Sequence, residues 1–96
     1  MAAAEDEKAE DKAWQRLDKF LFIARFCKSR AMAAEIIARG GVRINRQVTE
    51  KPHARLRPGD VLTLGLARGV VVAKVLALAP RRGPASEARL LYEEIA

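Results

Sequence analysis

The first thirteen residues (MAAAEDEKAEDKA) carry no large apolar side chain beyond Met1, and then the pattern changes abruptly. Leu17, Phe20, Leu21 and Ala24 recur at helical spacing and fall on one face, which predicts an amphipathic helix ending near Phe26. Phe22, Ile23 and Phe26 lie outside that stripe, so the helix is expected to be covered on more than one side, with Trp14 packing nearby. Ser29 is placed to cap a second helix that runs to about Arg39 and buries Met32, Ala33, Ile36 and Ile37. Gly40 and Gly41 stop it, the first suited to a left-handed cap.

Beyond the glycines the period shortens. Val42, Ile44 and Val48 alternate in part with Arg43, Asn45 and Arg46, and Asn45-Arg46 suits a tight turn. Pro52 interrupts, and Arg57-Pro58-Gly59-Asp60 is a strong turn signal. Val61 to Leu66 reads as a strand, and Gly69 to Leu78 as a longer one. Pro80 and Pro84 bracket a loop, after which Ser86 is expected to cap a final helix bearing Leu90, Leu91, Tyr92 and Ile95. The sum is an α+β chain: two packed N-terminal helices on a small, mostly antiparallel sheet, with a short C-terminal helix. Residues 1–13 read as a disordered acidic arm, 14–80 as the folded domain, and 81–96 as a loop and helix.

Charge sharpens this outline. The chain has 96 residues, a formal charge of +6 and a sequence pI near 10.1, enough for one domain with a modest core. From Met1 to Lys12 the net charge is −3, whereas from Arg16 to Arg57 it is +8. Positive charge therefore belongs to the folded part, the footprint of a nucleic-acid binder. A well-solvated basic surface is the plainer alternative.

Other chemistry finds little support. Cys27 is the only cysteine, which excludes an intrachain disulfide and fits a reducing compartment. It reads as a half-buried inert thiol, although Lys28 beside it would favour the thiolate. His53 is the only histidine and stands beside Pro52 in an expected loop, so no zinc site or catalytic pair assembles, and no cofactor is expected. Gly40-Gly41 lacks the spacing of a nucleotide-binding loop. With no secretory pattern or membrane-length apolar run, the expected location is cytoplasmic, without a membrane partner or a small-molecule substrate.

Phosphate contact is the chemistry the residues favour. Lys28, Ser29 and Arg30 stand at a helix start, where free N–H groups and the helix dipole already attract an anion. Arg16 and Lys19 share a side of the first helix, Arg25 closes it, and Arg39, Arg43 and Arg46 carry the charge into the next strand. Asn45 is placed to reach a sugar hydroxyl or base edge. The expectation is that these groups converge on one face, with Asp18 and Glu35 orienting neighbouring arginines. Reversing Arg16 or Arg30 to glutamate should then weaken binding and leave the fold intact.

The stretch RLDKFLFIARFCKSRAMAAEIIARGGVRINRQV resembles the S4-type RNA-binding domain. The resemblance rests on Arg16-Leu17-Asp18-Lys19, on Lys28-Ser29-Arg30-Ala31, on the Gly-Gly-Val-Arg-Ile-Asn turn and strand, and on the later Arg57-Pro58-Gly59-Asp60. It implies the αL motif fold, two helices on a small sheet, with a helix–loop–strand surface that docks on structured RNA. Arg81-Arg82-Gly83-Pro84-Ala85-Ser86-Glu87-Ala88 and Leu91-Tyr92-Glu93 resemble the ribosome-associated heat-shock protein 15 family. That likeness implies a partner of large-subunit ribosomal RNA, which helps recycle free subunits stalled with nascent chain-tRNA under heat stress; a non-enzymatic monomer is expected. The chain stops at Ala96, where that family usually continues into a basic region. Another RNA, such as a transfer RNA or a small-subunit site, or a protein partner bound through Leu91 and Tyr92, are the alternatives.

Overall fold

Local chemistry fixes the first half of the fold. In the computed structural model, which describes residues 13–95, Ser29 accepts a hydrogen bond from the Met32 N–H at 3.0 Å and so starts helix α2, Arg30–Ala38. The helix ends on a Schellman turn: Gly40 N–H reaches the Ile37 carbonyl and Gly41 N–H the Ile36 carbonyl, with Gly40 at φ +80°. A side chain at Gly41 would press on Ile36 at 3.1 Å, so the turn packs closely on its own helix. The expected buried stripe holds for Ala33, Ile36 and Ile37, while Met32 is exposed.

Helix α1, Leu17–Ile23, is shorter than its apolar pattern predicts. Arg25 adopts φ +65°, and the Phe26 and Cys27 N–H groups both fold back on the Leu21 carbonyl. The reversal buries Cys27 and brings Phe26 to 4.5 Å from the Tyr92 ring. Before α1, strand β1 (Gln15–Arg16) pairs antiparallel with β4 (Arg55–Leu56). Hydrogen bonds from Leu17 and Asp18 to the Ala54 and Pro52 carbonyls tie the helix start to the same segment.

The main sheet has five antiparallel strands in the order β3-β2-β5-β6-β7. β2 (Val42–Ile44) and β3 (Gln47–Val48) are joined by Asn45 and Arg46, both at positive φ, the tight turn that an Asn start favours. β5 (Val61–Leu66) and β6 (Gly69–Val75) form the central hairpin around Ala67 and Arg68. Alternation sends Val42, Leu62, Leu64, Val71 and Ala73 under the helices, where they meet Leu17, Phe20, Leu21 and Ile37. A leucine fully buried there contributes about 1.5–3 kcal/mol. Arg43, Thr63 and Val72 stand side by side on the opposite face.

The last segment differs from the expected helix. Helix α3 is a single turn, Ala85–Ala88, whose first residue follows Pro84 rather than a Ser86 cap. The chain then extends into β7, Tyr92–Glu94, against β6. Leu90 is 71% exposed while Leu91 joins the core, a distribution that a continued helical stripe would not produce. Strand pairing wins because it closes the β6 edge and docks Tyr92 on Phe26. The acidic arm expected over residues 1–13 lies, up to Lys12, outside the described residues.

Candidate functional site

Asp18 is where the basic residues first converge. It occupies the first turn of α1, with its side chain only 7% exposed, and accepts two bonds from Arg16: Nε to Oδ1 at 3.1 Å and Nη2 to Oδ2 at 3.0 Å. From the start of α2, Arg30 Nη2 reaches Oδ1 at 3.4 Å. Both arginine side chains remain nearly half exposed, at 48% and 45%. A buried carboxylate thus holds two outward-facing cations and neutralises only one. Their orientation is fixed before any ligand arrives, which lowers the ordering cost of binding. Glu35, expected to orient an arginine in the same way, is exposed and forms no ion pair among the described residues.

Beside this clamp lies the α2 N-terminus. Ser29 takes the Met32 N–H with its hydroxyl oxygen and the Ala33 N–H with its carbonyl, and its hydroxyl hydrogen still has an acceptor to find. The N–H groups of Arg30 and Ala31 are the turn's remaining donors, with no partner among the described residues. Lys28 is exposed and Lys19 half-buried. Arg16, Lys28, Ser29 and Arg30 therefore gather positive charge and N–H donors at the starts of the two helices, an arrangement whose field favours an anion.

Sequence reasoning missed Arg55. Strand pairing sets it directly opposite Arg16, and its guanidinium lies 4.6 Å over the Trp14 ring. Nothing local marks Arg55, because the pairing joins distant parts of the chain.

The other expected residues are placed differently. Arg39 caps the far end of α2, a nine-residue helix of roughly 13 Å. Arg43 projects from the sheet face turned away from the helices, because its neighbours Val42 and Ile44 take the inward positions. Arg46 is exposed in the tight turn. Asn45 has its carboxamide engaged at both ends, donating to Asp60 Oδ1 and accepting from the Val61 N–H, each at 2.9 Å. Its visible work is to lock the β2–β3 turn to the turn before β5. Arg25 is latched elsewhere, its Nε donating to the Gly83 carbonyl at 2.9 Å. The single converging face expected from chain order is thus a tight Arg16–Asp18–Arg30 nucleus with further cations distributed around it.

Cys27 is buried, and desolvation pushes its thiol pKa up, opposite to the activation that Lys28 would provide. Among the described residues no three His, Cys, Asp or Glu side chains are grouped to hold a metal ion, and no helix is long and apolar enough to cross a membrane.

A two-helix clamp over an antiparallel sheet, with cations gathered at the helix starts, defines the class: the S4 domain profile matches residues 15–62, and the chain belongs to the S4-domain family. Its particular likeness is to heat shock protein 15. It is 46% identical to that protein of Escherichia coli K12 over 81 residues, 84% of this chain and 60% of the relative. A trimeric heat shock protein 15 of Vibrio cholerae superposes with a TM-score of 0.81 at 34% identity, covering 86% of this chain and 83% of the other. The chain is also 37% identical over 60 residues to a Listeria innocua protein, the RQC P-site tRNA stabilizing factor, covering 62% of this chain and 64% of that one. It spans about 60% of the length of the Escherichia relative.

Proposed function

We propose that the protein is a non-enzymatic, cytoplasmic RNA-binding protein that docks on structured ribosomal RNA of the free large subunit. Its role is to help recycle stalled subunits that carry nascent chain-tRNA under heat stress. The Arg16–Asp18–Arg30 clamp beside the α2 N-terminus carries the reading, because it offers two fixed guanidinium groups and free N–H donors to a phosphate backbone. Kinship with heat shock protein 15 supports the ribosomal setting and the link to heat stress. Lys19, Arg39, Arg43 and Arg46 add longer-range attraction. If about five phosphates are neutralised, affinity falls with added salt at a log–log slope of about −4.

The test is co-sedimentation of the purified protein with isolated large subunits, small subunits and transfer RNA over a salt series. Selective binding to large subunits, lost on replacing Arg16 and Arg30 with glutamine, supports the reading; equal binding of both subunits by the wild type refutes it. Glutamine is the right replacement, since glutamate would set a like charge against buried Asp18 and confuse binding with stability. A second reading, direct contact with transfer RNA, is favoured by the name of the Listeria relative, and the transfer RNA arm measures it. A monomer is expected in solution, in contrast to the trimeric Vibrio relative, and sedimentation velocity of the free protein distinguishes the two.

A further inference from the structure

A second group of arginines joins Arg25, within the stretch that matches the S4 domain, to Arg81 and Arg82 beyond it. The loop between β6 and α3 is fastened to the end of α1 by two reciprocal bonds. Arg82 Nε donates to the Phe22 carbonyl at 3.0 Å, and Arg25 Nε donates to the Gly83 carbonyl at 2.9 Å. The Arg82 guanidinium also lies 4.7 Å over the Phe22 ring. Arg81, next in the chain, is exposed. None of the three forms an ion pair among the described residues. Glu87 is the acid nearest the loop, and its carboxylate occupies the space over Gly83 that a side chain there would need.

We propose that Arg25, Arg81 and Arg82 form a second phosphate-holding station, which takes a further stretch of the backbone of the RNA bound at the Asp18 clamp.

Three observations support the assignment. Both latched arginines bond through Nε, so the two terminal nitrogens of each remain outside the protein's own hydrogen bonds and can form the fork that suits a phosphate. Carbonyl acceptors and an aromatic face hold these side chains without cancelling their charge. Arg25 keeps its large side chain at φ +65°, a conformation that costs a non-glycine residue about 1–3 kcal/mol and that glycine would adopt freely. A position needed only for the turn has no use for arginine. Chain continuity through Phe26 and Cys27 leads from Arg25 to Lys28 at the first site, so a single RNA can engage both.

The inference rests on the RNA-binding reading, and the experiment separates the two. Binding is measured over a salt series with purified large-subunit ribosomal RNA as the probe. Arg81→Ala removes a side chain with no internal partner, so its effect cannot come from misfolding. Arg81→Ala with Arg82→Gln should weaken binding roughly tenfold at low salt and make the salt slope shallower by about 2. Arg68→Ala, at the β5–β6 hairpin tip, removes the same unit of charge and should change affinity by roughly twofold or less. The proposal is overturned if Arg81→Ala leaves the slope at its wild-type value, or if Arg68→Ala weakens binding as much as Arg81→Ala. If the Arg16 and Arg30 glutamine variants also bind as the wild type does, the RNA reading itself fails; if they lose binding while Arg81→Ala does not, only the second station falls.

Discussion

The protein fixes its arginines in two different ways. At the start of α1 a buried carboxylate draws Arg16 and Arg30 together and cancels part of their charge. At the end of the same helix, backbone carbonyls hold Arg25 and Arg82 and cancel none. An ionic clamp makes the carboxylate matter to the fold as well as to the proposed contact, because removing it leaves two cations crowded without their counter-charge. A carbonyl latch sets direction alone, so its arginines can be changed at small cost to stability. The first arrangement couples folding and binding, and the second separates them.

The largest expected effect breaks the first region. Asp18→Ala should destabilise the domain by about 2 kcal/mol, less than a fully buried pair because both arginines are half in solvent. That corresponds to a fall in Tm of roughly 10 °C for a domain of this size, read by thermal denaturation. Arg16→Gln and Arg30→Gln should each lower RNA affinity by about tenfold, as expected for a charge-assisted contact of about 1.5 kcal/mol. Combined with Asp18→Ala they should be strongly non-additive, and a double-mutant cycle on stability measures the coupling. Ser29→Ala should cost about 1 kcal/mol by removing the α2 cap, while the Asp18 pairs persist.

The second region answers differently. Arg25→Gly relieves the left-handed backbone as it deletes the latch, so stability should change by about 0.5 kcal/mol or less in either direction, with a shallower salt slope. Urea denaturation beside the binding series checks both halves of that expectation. The smallest effect concerns Cys27. Its folded pKa is raised, so the folded state holds the thiol proton more tightly than the unfolded chain does. The associated stabilisation is complete at neutral pH and fades as pH rises through the ordinary thiol range toward the folded value. Alkylation of the native thiol should be slow at neutral pH and speed up in denaturant, read by mass spectrometry.

The features legible in the sequence are those set by near neighbours. Ser29, Gly40-Gly41, Asn45-Arg46 and Arg57-Pro58-Gly59-Asp60 each carry their own turn or cap chemistry, and the Val61–Leu66 strand follows from what bounds it. The placement of Arg16, Lys28, Ser29 and Arg30 at the two helix starts was legible because the local pattern marks those boundaries. The misses have long-range causes. Arg55 meets Arg16 only through the β1–β4 pairing, and Arg25 takes a backbone shape usually left to glycine. The final segment has apolar spacing compatible with a helix, and becomes a strand because β6 offers it an edge. Arg43 faces away from the helices because one step of pleat separates it from Val42, a direction that charge counting cannot supply.

That edge has a practical consequence for handling the protein. β6, GVVVAKV, is rich in β-branched residues and carries a single charge, the composition of a segment prone to self-association. β7 occupies its pairing groups and brings Glu93 opposite Lys74 and Glu94 opposite Ala73, acidic side chains that discourage further strands from stacking on. Trimming the chain before Leu91 should therefore reduce solubility well before it touched the Asp18 clamp, and any shortened version should be checked for filaments as well as for fold.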